Sequence, residues 1–514
     1  MKALRNLLGV SLLLALRLAG AQQNNALLEA EEAVKNGAPL SLYQHLAAHP
    51  LYPMVEYQYW QNNLQDVAGV SAFLKAHPDS YFSDDLAKSA YKQWIITNPQ
   101  AIIATYRESF ADDEITCLYL QAQRRPCPNT APSPAAEQIY ALANKNLDEA
   151  LYLARSNTLA GVKDYEHAYN RLVSKLARAD DSATYEMWAR MPAGSQSDNT
   201  IFDVIAYAQR RNDWARLPQL LGKLDEKAYN KAEVQYWLGR AAEKSGNRSQ
   251  AESHFRKAAS QRDYFGFLAA EKLGQAPQFH NRPTRQINAQ RAQVMNGVQR
   301  ALILKNLGKG QRAMAELQAV AKGKPPELVE QIALVAHQQG WHIGAISILA
   351  QNKIWDNLNL RFPIKYRREI ESLARQHRIK TSEIYAIIRK ESIFQEEIKS
   401  AAGALGLMQV MPATASDTAR KYGISYGGSG QLTNPSTNLA IGTQYLSNRL
   451  QEFRSLAVAA ASYNAGPNRA RQWLDKYPNL PLDEWIAQIP FNETRDYVKK
   501  VMEYEKIYDY LLRQ

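Results

Sequence analysis

From about residue 26 to residue 370 one pattern repeats: apolar residues recur three and four positions apart, among Leu, Ala, Gln, Lys and Glu. That is the spacing of helices that each bury one face. Residues 236–242 read as part of one helix, with Gly246-Asn247 as its stop. Ala251, His254, Phe255, Ala258 and Ala259 make the face of a second, and Asp263-Tyr264-Phe265-Gly266 opens a third. Similar stretches lie around 136–143, 185–189, 205–220 and 301–317. Small residues let such helices approach, and bulky aromatics fill the gaps between turns. A helical pair of this kind buries its apolar face only against its neighbours. The pattern therefore predicts an all-α chain of stacked helical hairpins, a superhelix whose repeats are too degenerate for a named class.

At 514 residues the chain exceeds one ordinary core, so two or three domains are expected. Pro277, Pro283 and the polar run 281–290 mark a boundary near 280. Trp355, Phe362-Pro363 and Tyr366 mark a second between 355 and 380, after which glycines cluster and short dense motifs replace the repeats.

Lys2 and Arg5, the apolar run from Leu7 to Leu16 and the small residues Ala19-Gly20-Ala21 read as an export leader over residues 1–21, cleaved before Gln22. The other reading, an N-terminal membrane anchor, needs roughly 20 apolar residues and the run is well short of that. No cysteine follows the small residues, and no later segment is apolar enough to span a membrane. A soluble periplasmic protein is expected. In an oxidising compartment Cys117 and Cys127 read as a disulfide, with two free thiols as the alternative; alone they make no zinc site. The formal charge is +12, and residues 380–514 hold 16 Lys+Arg against 14 Asp+Glu, so most of the excess lies upstream. That suits an anionic polymer such as cell-wall glycan, or is ordinary solubilising charge. Nucleic acid fits the charge but not the export.

Trp60, Trp94, Trp188, Trp214 and Trp237 read as core rather than as sugar platforms. His337 and His342, five apart, should not face each other on one helix, so no metal is expected there.

The chemistry concentrates after residue 380. Ser382 is a candidate cap for a helix running through Phe394, with Ile384, Ile387, Ile388, Glu391 and Phe394 on one face. A carboxyl among isoleucines is hard to ionise, as a general acid near neutral pH requires; the plainer reading is a glutamate at the rim of the apolar stripe. In the segment from Ser400 to Ala415, Gly403 and Gly406 permit tight turns near a ligand, and Gln409 needs a partner, either a sugar group or a backbone carbonyl. Pro412 should start another helix, and Asn434-Pro435 reads as a turn entering one. Tyr463 and Asn464 end a small-residue helix at Gly466-Pro467, well placed to line a cleft, and Glu493 is a candidate support for the site.

Four segments together resemble the lysozyme-like catalytic domain of the soluble lytic transglycosylases: Glu391-Ser392, Gly406-Leu407-Met408-Gln409-Val410-Met411-Pro412, Tyr463-Asn464-Ala465-Gly466-Pro467 and Pro490-Phe491-Asn492-Glu493-Thr494-Arg495. The helical remainder is similar to the large periplasmic member of that family, whose superhelix closes into a ring with a linker domain. After the leader at 1–21, the resemblance implies a helical superhelix at 22–285, a linker helical domain at 286–365 and a lysozyme-like transglycosylase domain at 366–514. It implies that Glu391 is the catalytic acid and base. Ser400, Gln409 and Met411 would bind and orient substrate, Tyr463 and Asn464 would stabilise the reacting sugar, and Ser392 and Glu493 would support the site. Ser462 departs from the pattern, standing where alanine is usual.

The implied reaction is non-hydrolytic cleavage of the β-1,4 bond between N-acetylmuramic acid and N-acetylglucosamine. It gives 1,6-anhydromuramoyl products from peptidoglycan strands and muropeptides, with no metal or organic cofactor, and a ring favours attack at strand ends. The alternatives are a muramidase, which needs a second carboxylate, and a non-catalytic wall-binding scaffold. Nothing in the sequence names a protein partner.

Overall fold

The computed structural model of this chain describes residues 23–107, 112–127, 131–159, 161–284, 289–293 and 295–514. The expected leader and its cleavage site lie outside them. Every regular element described is helical, and β-type pairing is limited to two isolated antiparallel bridges, Lys399 with Leu405 and Leu405 with Val410. The all-α expectation is met.

The chain forms two compact units, each assembled from two stretches. One joins Met1–Asn129 with Pro283–Arg361, the other Thr130–Arg282 with Phe362–Gln514. The stretch 22–285 thus contributes to both.

In the first unit Phe82, Leu86, Trp94, Ile102 and Ile115 share a core with Val298, Leu317, Ile332 and Leu349. Polar groups within it are paired. Arg300 bonds Glu316 and Ser80, at 2.7 and 2.6 Å, and the Trp94 indole donates to the Leu64 carbonyl at 2.8 Å. Helix starts are capped by side chains: Asp66 accepts from Gly69 N–H, Asn98 from Ala101 and Asp112 from Ile115. Cys117 and Cys127 are joined by a disulfide, their Cα atoms 5.0 Å apart. His337 and His342 do meet, Nδ1 to Nδ1 at 3.2 Å. The expectation that they would not assumed one continuous helix. Pro326–Gln338 ends first, the chain turns at Gly340 (φ 68°), and His342 opens the next helix.

In the second unit Ala232–Lys244 packs on Arg248–Ala259 across Gly246 (φ 74°), with Asn247 capping the second helix. At Gly239 the helices touch: a Cβ there would lie 2.5 Å from the Phe255 ring. Ala251, His254, Phe255, Ala258 and Ala259 form the buried face, as their spacing predicts. Trp94, Trp188, Trp214 and Trp237 are buried, and Trp60 partly so.

The same unit carries the segment after 362. There the alanine-rich Leu456–Ala465 helix and the Thr381–Glu391 helix both pack on Asn492–Leu512. Buried and half-buried side chains tie this segment to the upstream helices. Arg240 pairs with Asp483 and with Glu484, the latter at 2.7 Å. Arg210 donates to Gln488 at 2.7 Å, and Gln488 donates to the Ala206 carbonyl at 3.2 Å. Buried charges require such pairing, because an unpaired one costs several kcal/mol.

Candidate active site

The Thr381–Glu391 helix starts without Ser382 as its cap. Lys380 flanks the start, and its backbone N–H donates to Glu383 at 2.9 Å. Ser382 lies inside the first turn, buried, and donates to Glu505 at 3.0 Å. Ile384, Ile387 and Ile388 are fully buried. The helix stops at Glu391, earlier than a face running to Phe394 suggests, because Ile393 and Phe394 take φ of 51° and 62°. Two left-handed residues in a row reverse the chain just past the carboxylate, and a β-branched residue adopts that conformation only under constraint. Ser392 is buried at this helix end, donating to the Ile388 carbonyl at 3.2 Å.

Glu391 is partly buried. Tyr497, from the Asn492–Leu512 helix, donates its O–H to Oε1 at 2.6 Å. Burial raises the Glu391 pKa from 4.5 to about 7; the Tyr497 bond and the Lys390 charge oppose the rise, and the Glu493 charge adds to it. A carboxyl that holds its proton near neutrality serves first as acid and then, once ionised, as base.

Tyr463 borders this carboxyl. Its O–H donates to the Met408 carbonyl at 2.8 Å, and its ring meets Tyr445 edge-on at 5.3 Å. Burial, and then the charge of Glu391, push the phenol well above its usual range, so it stays a neutral donor. Asn464 accepts from Thr494 Oγ1 at 2.7 Å. The helix carrying both ends at Ala465, before Gly466 (φ 91°) and Pro467, as expected.

Ser400 and Gln409 shape the glycine loop itself. Ser400 Oγ accepts from Ala404 N–H at 3.0 Å, and Gln409 Nε2 donates to the carbonyls of Ile398 and Gly406 at 3.1 and 3.0 Å. Of the two partners open to the Gln409 amide, its NH₂ takes backbone. Gly406 (φ 76°) is required twice over: a Cβ there would lie 2.2 Å from the Leu432 carbonyl oxygen and 2.4 Å from Asn438 Nδ2. Asn438, fully buried, accepts from Met408 N–H at 2.8 Å and donates to the Leu405 and Leu432 carbonyls at 2.9 and 2.8 Å. Met411 precedes the Pro412–Tyr422 helix and is 40% exposed, whereas Ile387 and Met408 are fully buried behind the site.

The structure thus gathers Glu391, Tyr497, Tyr463 and Glu493, and joins Asn464 to them through Thr494. Ser400, Gln409 and Met411 belong to the adjoining loop, linked through the Met408 carbonyl. Glu396 is bound by Lys365 and Tyr366. Among the described residues no three His, Cys, Asp or Glu side chains converge as a metal site. Sequence reasoning missed Tyr497, Thr494 and Asn438. Tyr497 falls one turn after Glu493, and Asn438 is an amide within a helix among Leu439 and Ile441; either spacing is a usable signal.

An all-helical module with one proton-holding carboxyl beside a glycine loop matches a known class. Residues 369–486 match the family described as the transglycosylase SLT domain. Residues 488–514 match the soluble lytic transglycosylase helical domain, and residues 292–358 the soluble lytic murein transglycosylase L domain. The resemblance to the soluble lytic transglycosylases drawn from the motifs is met. Among individual proteins, the chain is 32% identical over 325 residues to the soluble lytic murein transglycosylase of Salmonella typhimurium, covering 62% of this chain and 50% of that protein. It is also 32% identical over 329 residues to that of Escherichia coli K12, with the same coverages. The chain therefore spans about half the length of the curated relatives it matches. In fold it is similar to an inactive glutamate-to-glutamine variant of lytic transglycosylase Slt from Pseudomonas aeruginosa, with TM-score 0.75, 24% identity, and 95% and 97% of the two chains covered. The 70-kDa soluble lytic transglycosylase from Escherichia coli gives TM-score 0.60, 22% identity, and 96% and 97% coverage.

Proposed function

We propose that the chain is a peptidoglycan lytic transglycosylase in which Glu391 is the single catalytic acid and base. The observation that carries this reading is the Glu391 carboxyl itself, with its pKa near 7 and its oxygen held by Tyr497. Protonated Glu391 donates to the bridging oxygen of the β-1,4 bond as the bond from C1 of N-acetylmuramic acid breaks. The 2-acetamido carbonyl steadies the charge at C1. Ionised Glu391 then takes the proton of that sugar's C6 hydroxyl, whose oxygen closes on C1 as a 1,6-anhydro ring. An intramolecular nucleophile outcompetes bulk water through its effective concentration.

In this reading Tyr463 and Asn464 steady the reacting sugar, and Ser400, Gln409 and Met411 line its approach. Ser392 and Glu493 support the acid. The domain division is 22–285, 286–365 and 366–514, with action at strand ends in the periplasm. The absence, among the described residues, of any helix long and apolar enough to cross a membrane is compatible with that location. Glu493 is a second carboxylate whose charge reaches Glu391, so hydrolysis is the competing reading. Mass spectrometry of soluble products from purified sacculi separates them. Anhydromuropeptides from the wild type and none from Glu391→Gln support transglycosylation; reducing-end products, heavier by one water, overturn it.

A further inference from the structure

Two guanidinium groups and one carboxylate sit behind the helix that carries Tyr497. Asp203, 2% exposed within the Asp198–Arg210 helix, accepts from Arg495 Nη2 at 3.1 Å and from Arg178 Nη2 at 2.8 Å. Both guanidinium groups also donate to Asn492 Oδ1, at 2.7 and 2.5 Å. Arg495 Nη1 donates to the Ile489 carbonyl at 3.3 Å, and its guanidinium carbon lies 4.1 Å from the Phe202 ring centre.

Asn492 and Arg495 belong to the first turn of Asn492–Leu512. At about 100° per residue they fall within roughly 60° of each other, and Glu493, Thr494 and Tyr497 fall on the opposite side. One face of this turn is therefore gripped by Asp203 and Arg178. The other presents the hydroxyls that reach Asn464 and Glu391. A hydrogen bond weakens steeply when its donor shifts or tilts, so a small rotation of the turn would release Glu391.

We propose that Asp203 is a positioning residue for the reaction: through Arg495 and Asn492 it fixes the helix that holds Tyr497 against Glu391. This rests on Glu391 being the acid. Asp203 touches no reacting atom and lies almost 190 positions upstream of Glu391. Its carboxylate offsets the buried Arg495 guanidinium and the more exposed Arg178 guanidinium beside it. Without it they repel across the single oxygen of Asn492, and the turn relaxes.

The test compares wild type, Asp203→Asn, and Asp203→Asn combined with Asn492→Asp, which returns one carboxylate to the atom both arginines already contact. Melting temperature is measured for each; kcat and KM on purified glycan, and the Glu391 titration by carboxyl ¹³C NMR, assigned by its absence in Glu391→Gln, are read at a temperature where each variant is folded. Asp203→Asn is expected to lower kcat on the order of tenfold, with KM little changed. It is also expected to raise the Glu391 titration by roughly half a unit or more, as the Tyr497 bond loosens. The added Asn492→Asp restores both. A lower melting temperature with unchanged kcat and titration overturns the proposal and leaves Asp203 a scaffold residue. Wild type yielding only reducing-end products sinks the transglycosylase reading instead, while the titration still decides the coupling. If Asp203→Asn does not fold, Asn492→Ala, which removes the half-buried acceptor through which both arginines hold the turn, carries the same test with the same expected directions.

Discussion

The phenol of Tyr497 and the carboxyl of Glu391, 106 positions apart in the chain, meet at 2.6 Å. This bond opposes the effect of burial, stabilising the ionised form of an acid that its surroundings would otherwise keep neutral. Tyr497→Phe keeps the ring and removes the O–H. Glu391 then titrates above about 7, and the alkaline limb of kcat/KM moves to higher pH, because the proton-donating form persists longer. The rate at the optimum should fall on the order of tenfold. A pH–rate profile with an unmoved limb would show that the bond does not tune the acid.

Stability carries the same signature. A carboxyl whose folded pKa is raised contributes its full stability below its unfolded value, and loses it as pH climbs through the folded one. For Glu391 that window runs from about 4.5 to about 7. Glu391→Gln cannot ionise, so it should match wild type at pH 4 and exceed it above pH 7, by on the order of 2 kcal/mol. Urea unfolding at both pH values checks this; equal differences at the two would contradict it.

Gly406→Ala should unfold the loop between Ser400 and Met411. It places a Cβ against the Leu432 carbonyl and the Asn438 amide at a backbone angle that favours glycine. A cost on the order of 3 kcal/mol is expected, read as a lowered melting temperature with loss of activity. A variant with wild-type melting would show that the loop shifts freely.

Ser462 is fully buried, and its Oγ has no hydrogen-bond partner among the described residues. Ser462→Ala removes a desolvated hydroxyl and leaves the packing otherwise intact. Stability should rise by about 1 kcal/mol, with kcat unchanged. A loss of stability would reveal a partner for that hydroxyl.

The disulfide between Cys117 and Cys127 closes a short loop in the first unit. Replacing both cysteines with serine should cost about 2–3 kcal/mol, chiefly by freeing the unfolded chain. Calorimetry should show an earlier transition for that unit, while the Glu391 titration stays in place.

Periodicity was enough to read the helices, and the Gly246-Asn247 stop, the Pro412 start and the end at Gly466 all fall where local chemistry puts them. Glu391 was legible because its isoleucine neighbours are on the same helix. Tyr497 was not, because its partner comes from another helix and only the folded core brings them together. The fold also reassigned residues whose local reading was sound: Ser382 is a good cap by type, yet Glu505 takes its hydroxyl. Gln409 needed a partner and found two carbonyls within its own loop. The meeting of His337 and His342 was hidden for a different reason, since it depends on where one helix stops.

Each compact unit is woven from two separated stretches of chain, and Asp203 and Tyr497 lie in different stretches of the same unit. During synthesis the helices from 131 to 282 emerge long before the segment that completes their unit. Until it does, Phe202 and the Arg495 side of the Asp203 carboxylate lack their later partner while 283 to 361 is made for the other unit. A nascent chain that has passed Glu391 but not Tyr497 holds an acid that nothing yet grips. Assembly of the site is thereby tied to the Asn492–Leu512 helix, so a gripped acid is withheld from copies in which that helix has not yet docked.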